Sequence, residues 1–244
     1  MNKNISFMAL IVGVLLGAAA PAHAQLSANL ALVSDYTFRG IVQNDSHPAL
    51  QGGVDYAHSS GAYIGTWASN VDFNDRDETF MEWDIYGGFK FPLAGFTVDV
   101  GGIAYLYPGQ NQSTNHYNFF DAKVGVSKDF GFASGTAQVN HSPNYFGSTS
   151  GTAGHSTYAS FNGAAPLGNI GINALGSIGR MWMENNTNFG APDYTDWSLG
   201  AGYSWQSFDF ALKYVDTSIE KARCFSGSNW CDARVVFSIA RTFK

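Results

Sequence analysis

The 244-residue chain holds 28 glycines and 15% aromatic residues but only 13% charged ones, about half the charged share of an average globular protein, roughly 25%. So few charges leave little to cover a wet surface, and a formal net charge of -6 argues against a nucleic-acid partner, whose phosphates call for a basic face. Past the N-terminal run described next, no apolar stretch is long enough to span a bilayer as a helix. Only helices and closed barrels satisfy their backbone in lipid, so a membrane role for the rest of the chain means a barrel.

At the N-terminus, Lys3 is followed by an apolar run from about Phe7 to Ala20, then Pro21 and the small-x-small site Ala22-His23-Ala24. This is the build of a secretory signal peptide over residues 1–24, cleaved after Ala24. The run is too short for a spanning helix, which needs about 20 residues, and no cysteine follows to take a lipid anchor. Cleavage would leave one domain, residues 25–244, and removes one lysine and no acid, moving the formal charge to about -7.

Beyond the leader the pattern has a period of two. Met81, Trp83, Ile85, Phe89 and Phe91 share one face, and Glu82, Asp84, Tyr86, Gly88 and Lys90 the other. The same alternation sets Trp197, Leu199, Ala201, Tyr203 and Trp205 against Asp196, Ser198, Gly200, Gly202 and Ser204. Such segments place twelve strands at 26–38, 48–58, 61–73, 79–91, 95–107, 116–129, 132–142, 155–165, 169–182, 194–205, 208–217 and 232–243. Most are long enough for the roughly 9–11 residues that cross a bilayer at a tilt.

The connections alternate in length. Tight turns fall at 59–60, 92–94, 130–131, 166–168 and 206–207, and longer links at 39–47, 74–78, 108–115, 143–154, 183–193 and 218–231. An even-stranded outer-membrane barrel with short periplasmic turns and longer external loops has this arrangement. The fold class is therefore all-β, a single antiparallel transmembrane barrel of about twelve strands. Eight strands already give an interior that side chains can fill, so twelve with their apolar face inward would leave a void. The apolar face is accordingly assigned to lipid and the polar face to a wet lumen. The last strand sets Val235, Phe237, Ile239 and Phe243 on one register, interrupted by Arg241, and closes on an aromatic residue followed by Lys244.

Several strings together resemble one family. They are Ser34-Asp35-Tyr36-Thr37-Phe38-Arg39-Gly40 with Gln43, the run from Pro48 to Tyr56, the run from Gly61 to Phe73, Glu82-x-Asp84-x-Tyr86-Gly87-Gly88, and Tyr105-x-Tyr107-Pro108-Gly109. This set resembles the TorF family of bacterial outer-membrane proteins, to which a porin role is assigned. The resemblance covers essentially all of the chain after the leader and is densest in its first half. It implies an outer-membrane location and a channel, and it supplies no substrate.

In such a barrel the lumen-facing charges are the functional candidates, because they tune selectivity. They are Asp55, Glu82, Asp84, Lys90, Asp99, Asp121, Lys123, Arg180, Asp196, Asp209 and Lys213. Acids outnumber bases, which favours a weak cation preference. The competing reading is that these charges pair across strands and close a narrow lumen, leaving a structural or adhesive barrel that acts through its loops. Arg39, at the first strand–loop junction, either folds back into the lumen or caps the loop, and a structural role is favoured over a solute-binding one. Cys224 and Cys231 are the only cysteines and, in an oxidising compartment, are expected to staple the last loop.

No cofactor, metal site or catalytic residue is expected. The histidines lack metal-ligand spacing, and the acidic run from Asp72 to Glu78 lacks the glycine and spacing of a calcium loop. A lipolytic His–Ser pair needs to share a strand face. His141 and Ser142 are adjacent and so oppose each other, and Ser60, two residues from His58, falls in a tight turn. The expected partners are outer-membrane lipid and small ions or polar solutes.

Overall fold

The computed structural model describes residues 24–74, 79–110, 117–147 and 153–244. The expected leader, apart from Ala24, and residues 75–78 of the acidic run lie outside the described residues. The strands are β1 (Gln25–Val33), β2 (Thr37–Phe38), β3 (Ile41–Val42), β4 (Ala49–Ala57), β5 (Ala62–Asn70), β6 (Met81–Leu93) and β7 (Phe96–Leu106). They continue with β8 (Phe119–Asp129), β9 (Ser134–Ser142), β10 (Ser156–Pro166), β11 (Ile172–Met183), β12 (Tyr194–Trp205), β13 (Phe208–Thr217) and β14 (Arg234–Phe243). All except β2 and β3 form one closed barrel in which each strand pairs antiparallel with its neighbours in sequence, and β14 closes on β1 through Ala28–Phe243 to Val33–Ser238.

Twelve strands therefore make the wall, at the places the alternation assigns them and with the alternation of short and long connections that it implies. Closure leaves no free edge, so every wall strand pairs on both sides. The outward positions carry Leu26, Leu50, Ile64, Phe89, Val124, Phe161, Leu199, Leu212 and Phe237, all exposed. The inward positions are mostly polar, aromatic or glycine, with a few aliphatic residues such as Ile103, Leu175 and Met181. A row of registered pairs around the wall shows the inward parity, from Lys90–Asp99 through Gly125–Gln138 and Ser160–Gly179 to Asp196.

One boundary differs substantially from the sequence expectation. The first strand ends at Val33 and not near residue 38. Ser34 to His47 leaves the wall and folds into the barrel, where Tyr36, Phe38, Ile41 and Val42 are buried. Tyr36 and Phe38 extend the alternation of β1 in the sequence, but their burial partners lie inside the barrel, Trp67 against Tyr36 and Tyr105 against Phe38. Two short helical turns in the loops, Asn186–Phe189 and Lys221–Arg223, complete the secondary structure.

The core of the molecule is inside the barrel, in the half nearest the long loops. Tyr105, Tyr107, Tyr145, Met181 and Tyr194 are fully buried there. Tyr105 stacks on Phe119 at 4.2 Å, and Phe146 joins Phe73, Tyr107, Phe119 and Phe189. Aromatic pairs at these separations favour edge and offset contacts, which fill a wide interior with few residues.

Candidate functional site

The inner strap, Ser34 to His47, is a hairpin of β2 and β3 whose tip is Arg39-Gly40. Both tip residues have positive φ, 51° and 80°, the backbone of a type I′ turn, which suits a two-residue hairpin. Glycine takes this conformation without cost, whereas arginine does so uncommonly. Gly40 also meets the wall. A Cβ there would lie 2.6 Å from Cβ of Asp196 and 2.8 Å from Cγ2 of Thr217.

Backbone and side-chain bonds clamp the base of the strap. Gln43 N donates to Tyr36 O at 2.9 Å, Val42 N to Trp230 O at 3.0 Å, and Asp72 N to Gln43 O at 2.9 Å. Tyr36 N donates to Asn44 Oδ1 at 3.1 Å, and Arg234 Nη1 donates to Asp35 Oδ2 at 2.6 Å. Burial pushes the Asp35 carboxyl above its ordinary value, against the downward pull of the Arg234 guanidinium beside it.

The strap carries Arg39 to the inward wall. Its guanidinium pairs with the carboxylate of Asp121, and both side chains are almost completely buried. It lies over the rings of Phe38, Tyr145 and Tyr158, with Tyr158 nearest at 4.6 Å. Such contacts favour a desolvated cation. Asn140 Nδ2 adds a 3.3 Å bond to Asp121. Glu82 accepts from two tyrosines, Tyr36 at 2.9 Å and Tyr107 at 3.0 Å. Asp84 is fully buried, and neither of its carboxylate oxygens has a donor among the described residues.

Below the strap, toward the short turns, lies a cavity of about 240 Å³. Asp55, Tyr63, Tyr86, Lys90 and Lys123 line one side, and Tyr158, Ser160, Asn162, Ser177, Ser198 and Lys213 the other. Tyr86 donates to Asp55 at 2.6 Å, Tyr63 to Asp99 at 2.7 Å, and Lys123 to Asp99 at 3.0 Å. Tyr63 reaches Asp99 across Gly88 and Gly101, where a Cβ would come within 2.6 and 2.9 Å of its hydroxyl. Asp196 accepts from Tyr158. Inward positions nearest the short turns, Ser27, Thr97, Ser127 and Ser204, are partly exposed.

The structure thus separates the charges that the alternation groups together. Glu82, Asp84 and Asp121 are embedded in the packed half, whereas Asp55, Lys90, Lys123, Asp196 and Lys213 line the cavity with Asp35 and Arg39. Asp209 sits near a short turn, where it accepts a hydrogen bond from Ser204. Arg180 is a correction. It shares the outward face of Ile178 and Trp182, both well exposed, and binds Thr195 Oγ1 at 3.2 Å. Its place in the strand resembles that of a lumen residue only if the register is read one position out, because the alternation there runs through Gly176, Gly179 and Ser177, which carry no strong face signal.

Arg39 is the inward-facing residue that single-segment alternation could not place, although the resemblance motif contains it. The sequence also gave no sign that Asp45, His47 and Asp72 would gather at the long-loop rim with their ligand-type atoms within 4.8 Å of one another. His58 Nδ1 lies 2.9 Å from Ser60 Oγ, but both belong to one exposed turn whose backbone they also bond. His141 points outward and Ser142 is buried, on opposite faces as their adjacency requires. Cys224 and Cys231 form a disulfide in the last long loop, with Cα atoms 6.0 Å apart.

No curated protein matches the chain. Among solved structures, the KdgM porin superposes with a TM-score of 0.57 at 4% identity, over 89% of this chain and 98% of its own. The NanC porin gives 0.57 at 9% identity, over 90% of this chain and 100% of its own. At such identities the likeness is one of fold, a porin-like barrel. Residues 17–243 match the family described as "Bacterial protein of unknown function (Gcw_chp)", and the chain belongs to that family.

Proposed function

We propose that the protein is an outer-membrane channel of a Gram-negative bacterium, exported by cleavage after Ala24, that admits ions or small polar solutes. The TorF resemblance agrees with this reading. The observation that carries it is a closed barrel with an apolar outer surface around a cavity lined by charged, hydroxyl and aromatic side chains. A soluble barrel has no reason to turn Leu26, Leu50, Leu199 and Phe237 outward, and lipid does. The short turns then face the periplasm and the long loops the outside.

Among the described residues the strap and the aromatic packing fill much of the outer half, as inward loops plug other barrels. Conduction therefore requires the strap to shift. A cation preference draws on the acid excess of the inward face. Five of those acids, Glu82, Asp84, Asp99, Asp121 and Asp209, lie outside the cavity lining, and the cavity itself mixes Lys90, Lys123 and Lys213 with Asp55 and Asp196. The proposed preference is a weak one for cations, set by the acid excess of the whole inward face, and anion selectivity overturns it. Single-channel recording of refolded protein in a planar bilayer with a salt gradient is the test. Discrete steps support the channel, and a folded barrel that stays silent at all voltages retires it.

The second reading, a closed barrel acting through its loops, is favoured by one observation. Tyr107, Tyr145 and Tyr194 are buried beneath those loops with almost no exposure.

A further inference from the structure

Strand β13 presents Lys213 to the cavity, across the barrel from the strands that carry Lys90, Asp99 and Lys123. Those three have internal partners or contacts. Lys123 pairs with Asp99, and Lys90 lies 5.0 Å from the centre of the Tyr63 ring. Lys213 differs. Among the described residues no hydrogen bond, ion pair or ring contact engages its ammonium.

The surrounding wall makes room for the lysine and does not neutralise it. Its stem lies against Gly200, where a Cβ would come within 2.8 Å of Cγ of Lys213. Ser177 and Ser198 bond each other at 2.7 Å, and Asn162 and Ser238 complete a neutral hydroxyl and amide lining. The acids that line the cavity are engaged elsewhere, Asp55 by Tyr86, Asp196 by Tyr158 and Asp35 by Arg234. Asp209, on the same strand, accepts from Ser204. A half-buried ammonium without a counter-charge favours an anion beside it.

We propose that this cavity is a binding site for a small hydroxylated organic anion, whose carboxylate meets Lys213 and whose hydroxyls meet Ser177, Ser198 and Asn162. The site deepens the channel reading and rests on it only for the route by which the solute arrives. Hydroxyl donors and acceptors on the wall suit a polyol chain, and one cation suits one carboxylate.

The test is isothermal titration of gluconate, with sorbitol as its neutral counterpart, into detergent-solubilised full-length barrel whose fold is verified by heat-modifiable gel mobility. Gluconate is expected to bind at least tenfold more tightly than sorbitol. Lys213→Met should weaken gluconate about tenfold or more and leave sorbitol unchanged, and Lys213→Arg should retain gluconate binding. Equal affinity for the two solutes, an unchanged Lys213→Met affinity, or no gluconate binding to folded wild type overturns the proposal. If Lys213→Met does not fold, the wild-type comparison and Lys213→Arg decide. A barrel that binds gluconate through Lys213 yet never conducts retires the channel alone, and one that conducts but binds neither solute retires the site alone.

Discussion

Replacing Arg39 by methionine is the most informative perturbation of the strap. Methionine keeps an aliphatic stem, and removes the guanidinium that pairs with Asp121 and lies over Phe38, Tyr145 and Tyr158. Among the described residues Asp121, with no exposure, then keeps only the 3.3 Å bond from Asn140. Removing one partner of a buried pair costs about 3–5 kcal/mol, because the other charge stays buried without compensation. The wall strands close without the strap, so the loss falls on its docking equilibrium rather than on the barrel. At about 1.4 kcal/mol per decade, a loss of about 4 kcal/mol shifts that equilibrium toward release by roughly a thousandfold. Hydrogen exchange reads this directly. The amides of Val42 and Gln43, which donate to Trp230 and Tyr36, should lose about three decades of protection, while wall amides such as those of β11 keep theirs. In a bilayer the variant should open more often than wild type. Asp121→Asn alone should behave similarly, and the Arg39→Met, Asp121→Asn double variant should recover at least about 2 kcal/mol relative to additivity. Unchanged protection at Val42 and Gln43, with additive single effects, refutes the view that this ion pair holds the strap.

Three further outcomes follow from the geometry. Gly40→Ala adds a methyl 2.6 Å from Asp196 Cβ at a φ of 80°, and should loosen the same strap amides by about 1–3 kcal/mol. Replacing Cys231 by serine opens a loop of sequence separation 7, costing roughly 2–3 kcal/mol in the chain-entropy picture. Trypsin should then cut at Lys221 or Arg223 in the neighbouring exposed turn, with barrel mobility on a gel unchanged. Leu199→Arg, on the outer face and 64% exposed, should destabilise the barrel in vesicles by about 2–4 kcal/mol if that position meets the lipid midplane. Ser198→Arg, one residue along and inward, should cost far less, and urea unfolding in lipid vesicles compares the two.

The sequence by itself determined the wall. Strand number, the sorting of short turns from long loops, and the division of each strand into two faces follow from a period of two, because every residue of a paired strand faces either in or out. The Cys224–Cys231 staple was legible for a similar local reason, as two cysteines of one loop with no rival partners. The contents of the barrel were not legible in this way. Tyr36 and Phe38 continue the apolar rhythm of β1, and only the interior of the closed barrel offers them Trp67 and Tyr105 as partners. Whether an inward charge is embedded, like Glu82 and Asp121, or faces the cavity, like Lys213, depends on how far the strap reaches and which residues stand across the barrel. Alternation assigns a face but no depth and no opposite neighbour. Arg180 shows the same limit at the level of register, where glycines and serines mute the pattern and pairing with β10 and β12 decides the face. The pairing of Arg39 with Asp121, separated by 82 residues, exists because closure of the wall brings β8 within reach of the strap, and closure is a property of the whole sheet.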